Sequence, residues 1–301
     1  MSTPHFDPAR IDALVALLSP DRLTRIVDVG ANPINDNPYL DLLQHGYCDV
    51  VGFEPGEAAF SKLTSTDRET YLPFAIGDGS KGALHVCQGG DFSSLLKPDQ
   101  KTIDFLGRFN RPMRVQEVVE VQTHRLDDLD DVKEFDLLKI DVQGAEVAVY
   151  EGAKQHLTQA VAVISEVAAI PLYEDQPLLD AQMATLRKSG FDLHKFLFFK
   201  QVDLPSQSSV RLKKRMHSNQ LLDGDAVFIK SLRTPKAVSD EKLKHLAILA
   251  DSVFYSFDVA VRCIDLLVSR GAIEAEAAAD YLSRLPFQRP LPTPATSEAI
   301  G

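Results

Sequence analysis

The chain has 301 residues, 45% hydrophobic and 25% charged, with a net charge of −11, enough for one full α/β domain plus a smaller appendage on a core without disulfides. The acidic balance excludes a general nucleic-acid binder, whose phosphate contacts need a basic footprint, and no apolar run approaches the ~20 residues of a membrane span. Cys48, Cys87 and Cys263 lack CxxC spacing, which excludes a disulfide framework or structural zinc site and fits a reducing compartment.

In chain order, the helical spacing of Ile11, Leu14, Val15 and Leu18 predicts a helix over 7–18, stopped by Ser19-Pro20. Residues 25–29 read as a buried strand entering the turn Gly30-Ala31-Asn32-Pro33. A helix through Tyr39, Leu40 and Leu43 ends near Gly46, and a second strand over 49–53 stops at Glu54-Pro55-Gly56. A helix over 57–63 follows, then a third strand over 70–76 that ends in Gly77-Asp78-Gly79. Residues 83–87 and 115–122 read as antiparallel strands, the second alternating through Val115, Val119 and Val121. An apolar strand over 135–142 carries Lys139 and Asp141 near its end, and Gly144 opens a helix to about His156. A strand over 160–167, a helix over 178–189 and strands over 191–199 and 226–230 complete the series.

Short apolar strands alternating with helices indicate a largely parallel sheet covered on both faces. The last two strands, with no helix between them, add an antiparallel hairpin at one edge. The expected fold is thus α/β, a Rossmann-like class I methyltransferase sheet, mostly parallel with an antiparallel last strand, as opposed to a dehydrogenase. Beyond Pro235 an alternating three-and-four spacing runs from Leu243 and Leu246 through Ala250, Val253, Phe257, Ala260 and Ile264 to Leu267. It predicts one long helix over 239–270, readable either as a homodimer seam or as packing on its own domain. A second helix over 272–285 and a disordered, proline-rich tail follow. The domain plan is an N-terminal helix (1–24), a main domain (25–232), a helical extension (233–285) and the tail (286–301).

In a doubly wound sheet, ligands bind beyond the carboxyl ends of the strands. Asp28, Gly30, Ala31 and Asn32 lie at the first such end, in a turn without the G-x-G-x-x-G spacing that a pyrophosphate needs. Glu54, after the second strand, suits ribose hydroxyls of either a nicotinamide or a methyl-donor nucleotide. Asp78, after the third, suits an adenine amino group; the alternative is a turn-forming Gly-Asp-Gly. Lys139 and Asp141 occupy alternate positions of an otherwise apolar strand, where charge is rare unless paired or functional. Glu166 ends the neighbouring strand on the same rim. The basic cluster Arg211-Leu212-Lys213-Lys214-Arg215 reads either as an anionic ligand site or as a solvated loop.

These motifs together resemble the FkbM-type methyltransferase family: VDVGAN at 27–32, VGFEP at 51–55, AIGD at 75–78, Ser93-Ser94-Leu95, LKIDVQGAE at 138–146, ISEV at 164–167 and Asp225-Ala226-Val227-Phe228-Ile229. The resemblance covers about residues 25–231. It implies S-adenosylmethionine as the donor, bound by Asp28, Gly30, Ala31, Asn32, Glu54, Asp78 and Ser94, and a hydroxyl of a sugar or natural product as the acceptor. Two departures stand out: Pro33-Ile34-Asn35-Asp36 where the family has a glycine, and Gln143 where it commonly has glutamate.

Methyl transfer to an alcohol needs alignment and a base within hydrogen-bond reach. Asp141 is the first candidate, with Lys139 as its orienting group and Glu166 and His194 behind it. No metal site is assigned; a divalent ion on Asp141 and Glu166 is the alternative. The partners expected are a small-molecule or glycan acceptor, with no nucleic acid and no membrane, in the cytoplasm. Arg108, Arg111, Arg114 and the 211–215 cluster suit an acidic or phosphorylated acceptor, whose pocket is expected to be walled by 88–114 and 201–224. The rival readings are a nicotinamide-dependent oxidoreductase and a non-catalytic binding module.

Overall fold

The computed structural model describes residues 6–33, 37–213 and 216–285. Ile34, Asn35 and Asp36, Lys214 and Arg215 of the basic cluster, and the tail from 286 lie outside the described residues.

Helix α1 (Pro8–Leu18) is capped by Asp7, whose carboxylate accepts the Arg10 N–H, and closes on Ser19 in the left-handed conformation. There follow β1 (Thr24–Val29), α2 (Leu40–Gln44), β2 (Cys48–Phe53), a single turn α3 (Glu57–Phe60) and β3 (Glu69–Leu72). The strand expected over 70–76 is divided: β3 stays in the main sheet, and β4 (Ala75–Ile76) pairs elsewhere. Pro73 lies between them and has no N–H to continue a ladder.

The chain continues through β5 (Lys81–Cys87), an unpredicted helix α4 (Gln100–Leu106) and β6 (Val115–His124). As expected, β5 and β6 pair antiparallel, and β4 joins them in a small three-stranded sheet. Next come β7 (Leu137–Ile140), α5 (Glu146–Gly152), α6 (Lys154–Gln159), β8 (Ala162–Ala168), α7 (Leu179–Lys188), β9 (Phe191–Val202) and β10 (Gln220–Lys230). The expected single helix over 144–156 is two because the chain bends at Ala153, beside a glycine in tight quarters. A Cβ on Gly152 would lie 1.9 Å from the Gly77 carbonyl oxygen.

The main sheet has seven strands in the order β3-β2-β1-β7-β8-β10-β9. Pairing is parallel from β3 to β8, whereas β10 runs antiparallel to both β8 and β9. This is the mostly parallel sheet with an antiparallel last strand that the sequence predicts. Strand alternation divides the core. Ile26, Val50, Leu137, Ile164 and Val227 face one layer, and Val27, Phe53, Leu138, Val163 and Phe228 face the other.

The C-terminal segment corrects the long-helix reading. It forms α8 (Asp240–Ser252), α9 (Phe257–Ser269) and α10 (Ala277–Ser283). Tyr255 takes a left-handed φ of 51°, and the Phe254 and Ser256 N–H groups return to the carbonyls of Leu249 and Ala250, closing α8. Leu243, Leu246, Ala250, Val253, Ala260, Ile264 and Leu267 all share one buried core with α1 and the sheet. These stripe residues are therefore covered within the chain. Asp251 fastens this layer, accepting from Arg10 Nε and the Tyr281 hydroxyl, each at 2.7 Å.

Candidate active site

A cavity of about 760 Å³ opens at the carboxyl ends of β1, β2, β7 and β8, within the size range of small-molecule sites. Its lining includes Glu54 and Pro55 after β2, Lys139 and Asp141 at the end of β7, Glu166 on β8, Asp223 and Asp225 on β10, and Phe198 on β9, in the lateral order of the sheet; Ala59, Phe74, Ile76 and Phe92 also line it. The expected acceptor walls are partly present: 90–95 and Asp223 line the cavity, but Arg108, Arg111, Arg114 and Arg211 do not.

The predicted residues occupy distinct layers. Asp28 is 0% exposed and lies outside the cavity wall. Alternation along β1 turns it to the face of Ile26, where it accepts from the Tyr39 hydroxyl at 2.5 Å and pairs with Lys139 Nζ at 3.1 Å. The pair is fixed by register, since Asp28 stands directly beside Lys139 on adjacent parallel strands. Asp28 thus faces Tyr39 and Lys139 and not the cavity, which corrects its placement as a donor contact. Ala31 is likewise buried away from the cavity, its N–H donating to the Phe53 carbonyl at 3.0 Å.

Gly30 does line the cavity, and its φ is +83°. A Cβ there would meet the Asp141 carbonyl oxygen at 2.0 Å, so glycine is required by the approach of β7 and not by a ligand. Asn32 lines the cavity with Oδ1 buried and unpartnered among the described residues. Glu54 accepts the Gly56 N–H through Oε1 at 2.7 Å, and burial pushes its carboxyl above the usual range. Ser94 lines the cavity, but its hydroxyl donates to the Gln143 carbonyl at 2.7 Å and accepts from Leu96 N–H.

Asp78 is corrected too. It is exposed, outside the cavity wall, and holds Ser80 through both its N–H and its hydroxyl, which lowers its pKa. The turn-forming alternative is the one realised. His194 lies away from the cavity, within 2.9 Å of Ser256 Oγ, and burial lowers its pKa.

Asp141, Lys139 and Glu166 do converge on the cavity. Burial disfavours the Lys139 ammonium, yet Asp28 and then Asp141 outweigh it and raise its pKa. Burial, with Asp141 next, pushes Glu166 well above the carboxylate range. Sequence reasoning placed Asp223 within an expected wall and Asp225 within a motif, but singled out neither as a site residue. Asp225 stands opposite Glu166 in the β8–β10 ladder, and burial lifts it to about 6. Their alternate spacing on an apolar strand is the same signal that marked Lys139 and Asp141. It also missed the role of Gln143, whose Nε2 donates to Asp141 Oδ1 at 2.9 Å and Glu166 Oε2 at 3.0 Å. Among the described residues no group of three or more His, Cys, Asp or Glu side chains is arranged to hold a metal ion.

The model of the methyltransferase FkbM domain matches residues 28–193, more than half of the chain. The 2-O-methyltransferase NoeI of Sinorhizobium fredii (strain NBRC 101917 / NGR234) is 30% identical over 181 residues, 54% of this chain and 70% of that protein. Among solved structures, magnesium protoporphyrin IX methyltransferase (ChlM) from Synechocystis PCC 6803 with bound SAM has 15% identity and a TM-score of 0.32, covering 74% of this chain and 79% of that one. An S-adenosylmethionine-dependent methyltransferase from Mesorhizobium loti has 12% identity and a TM-score of 0.30, covering 72% and 96%. The family match sets aside the nicotinamide-dependent oxidoreductase. With its sheet order and its motifs, the chain belongs to the FkbM methyltransferase family and is an S-adenosylmethionine-dependent methyltransferase of the class I fold.

Proposed function

We propose that the chain methylates a hydroxyl group of a sugar or another polyhydroxylated small molecule, with Asp141 as the base. One observation carries this reading: Asp141 lines the cavity between the Asn32–Glu54 side and the wall formed by Glu166, Asp223, Asp225 and Phe198. The curated relative's name, a 2-O-methyltransferase, supports oxygen as the acceptor atom.

The residues present fit the donor. Asn32 Oδ1 is a buried acceptor without a partner among the described residues, suited to an ammonium group. Glu54 has given only Oε1 to the backbone, so Oε2 can accept from a ribose hydroxyl. The apolar surfaces of Pro55, Phe74 and Ile76 suit a flat heterocycle. The donor supplies an electrophilic methyl group on a sulfonium.

The chain supplies alignment, worth ~7–11 kcal/mol in favourable systems, and removal of the acceptor proton, worth roughly 10²–10⁴-fold. Asp141 takes that proton. Lys139, kept charged by Asp28, fixes the electrostatics beside it. Glu166, whose carboxyl is pushed up by burial, stands on the same cavity wall, within reach of an acceptor oxygen. A wall with three carboxyl groups and none of the four described arginines expected there favours a neutral acceptor over an acidic or phosphorylated one.

The acidic composition supports a small-molecule acceptor over a nucleic acid. No described helix is long and apolar enough to cross a membrane. All three cysteines are buried and unpaired, which supports a reducing, cytoplasmic setting. The test is transfer of a labelled methyl group from S-adenosylmethionine to a panel of neutral and phosphorylated monosaccharides. Asp141→Asn should keep donor binding by calorimetry and lose transfer by roughly 10²–10⁴-fold. Transfer at the wild-type rate would remove Asp141 from this role.

A further inference from the structure

We propose that Gln143 is a positioning residue for the carboxyl pair of the site: its side-chain amide bridges Asp141 and Glu166 and, by donating one N–H to each, favours the ionised form of the pair. The inference rests on the reading of Asp141 as the base.

The backbone is the first observation. Gln143 has a φ of +56° and Gly144 a φ of +103°. Two successive residues with positive φ turn the chain sharply after β7. For a non-glycine residue the left-handed region is unfavourable, so the side chain of Gln143 must be held by contacts that offset it. They are complete. Nε2 uses its two hydrogens on Asp141 Oδ1 at 2.9 Å and Glu166 Oε2 at 3.0 Å. Oε1 lies 2.9 Å from the buried Tyr173 hydroxyl, which is also 3.1 Å from the Phe92 carbonyl. The main-chain carbonyl accepts from Ser94 Oγ at 2.7 Å.

Chemistry fixes which way the amide points. An ionised carboxylate only accepts hydrogen bonds, so the nitrogen, not the oxygen, must face Asp141. The tyrosine hydroxyl can donate to Oε1 on the opposite side. A glutamate of the same shape would present oxygens to both neighbours, and three carboxyl groups would then compete for the protons available.

The surrounding charge would not relieve that competition. Glu146 follows on the same segment, Asp223 and Asp225 face the pair from β10, and Glu54 lies across the cavity. Asp28 and Lys139, on β1 and β7, are already paired at 3.1 Å. Lys200, on β9, lies 3.5 Å from Asp223. Lys139 is shared between Asp28 and Asp141 and Lys200 is engaged by Asp223, so the neutral donor at 143 is the contact common to Asp141 and Glu166.

The test is carboxyl-carbon NMR of protein labelled with ¹³C aspartate and glutamate, titrated across pH. Signals are assigned with Asp141→Asn and Glu166→Gln. In Gln143→Glu the Asp141 midpoint should rise by about one pH unit or more. In Gln143→Met, which removes the donor without adding charge, it should rise by a smaller amount. A merely structural Gln143 predicts lower thermal stability with the Asp141 midpoint unmoved in either variant, and that result overturns the proposal. If Gln143→Glu does not fold, the Met variant decides alone. Failure of both to fold overturns it too, because Gln143 would then govern the fold and not the protonation pattern. Methyl transfer surviving Asp141→Asn would remove the base assignment while leaving this titration standing, so the two readings fail separately.

Discussion

Glu146 opens α5 with 1% of its surface exposed, and burial lifts its carboxyl from the ordinary 4.5 to about 7. It accepts N–H groups from Gly144 at 2.9 Å and Val142 at 3.4 Å, and Gln182 Nε2 lies 3.5 Å from its second oxygen. A folded-state pKa above the unfolded one means that the native state binds more protons between the two values. This group's contribution is thus fully present below about 4.5 and is lost as pH rises through about 7. At 1.36 kcal/mol per unit, a shift of roughly 2.5 units amounts to about 3 kcal/mol by pH 8. Glu146→Gln removes the titration but sets a new NH₂ against the Gln182 amide donor. That adds a pH-independent cost of about 1–3 kcal/mol for an unsatisfied buried group. Urea unfolding of both proteins from pH 5 to 8 separates the terms, because the difference between them cancels every other titrating residue. The variant should be the less stable protein at pH 5 and should gain about 3 kcal/mol on wild type by pH 8. A difference that stays flat to within about 0.5 kcal/mol over that range refutes the buried-carboxyl account, whatever the offset.

Lys139→Met leaves Asp28 buried with only the Tyr39 hydroxyl; we expect a loss of about 3–5 kcal/mol, largely restored by adding Asp28→Asn in a denaturant double-mutant cycle. Asp251→Ala removes the acceptor shared by Arg10 Nε and the Tyr281 hydroxyl inside the helical layer, and calorimetric unfolding should show a loss of about 1–3 kcal/mol for each donor left unsatisfied. His245 is buried between Thr24, Glu241 and Asp136, and burial lowers its pKa. Its contribution to stability is therefore complete above the ordinary value of about 6.5 and lost as pH falls below it. His245→Gln should flatten that acid decline in thermal melts, and an unchanged decline would rule His245 out as its cause.

The mostly parallel sheet with its antiparallel last strand and the carboxyl-end location of the site were legible because buried parallel strands must be apolar. Charge at Lys139, Asp141 and Glu166 therefore stands out against them. The same logic, applied to Asp223 and Asp225 on β10, would have found the opposite wall. Periodicity could not show the break between α8 and α9. Val253 and Phe257 keep the helical spacing across it, and only the left-handed Tyr255 ends the helix. The same spacing left the seam and the intramolecular packing equally open, since an apolar stripe reads alike whether it meets a second copy or its own sheet.

Asp28 and Gln143 show where a motif stops being informative. Asp28 was read as a ligand contact because it sits at a strand end, but the face it takes depends on the alternation set by Ile26 and Val27 packing into opposite layers. Gln143 reads as a conservative departure at the end of β7. In space it is the residue that meets two carboxyl groups contributed by different strands, brought together by the β7–β8 pairing. Both roles depend on a neighbour that is distant in sequence: Lys139 for Asp28, Glu166 for Gln143. A strand-end motif therefore locates the chemistry, while sheet register decides which of its residues touch the reacting atoms and which act by holding another in place.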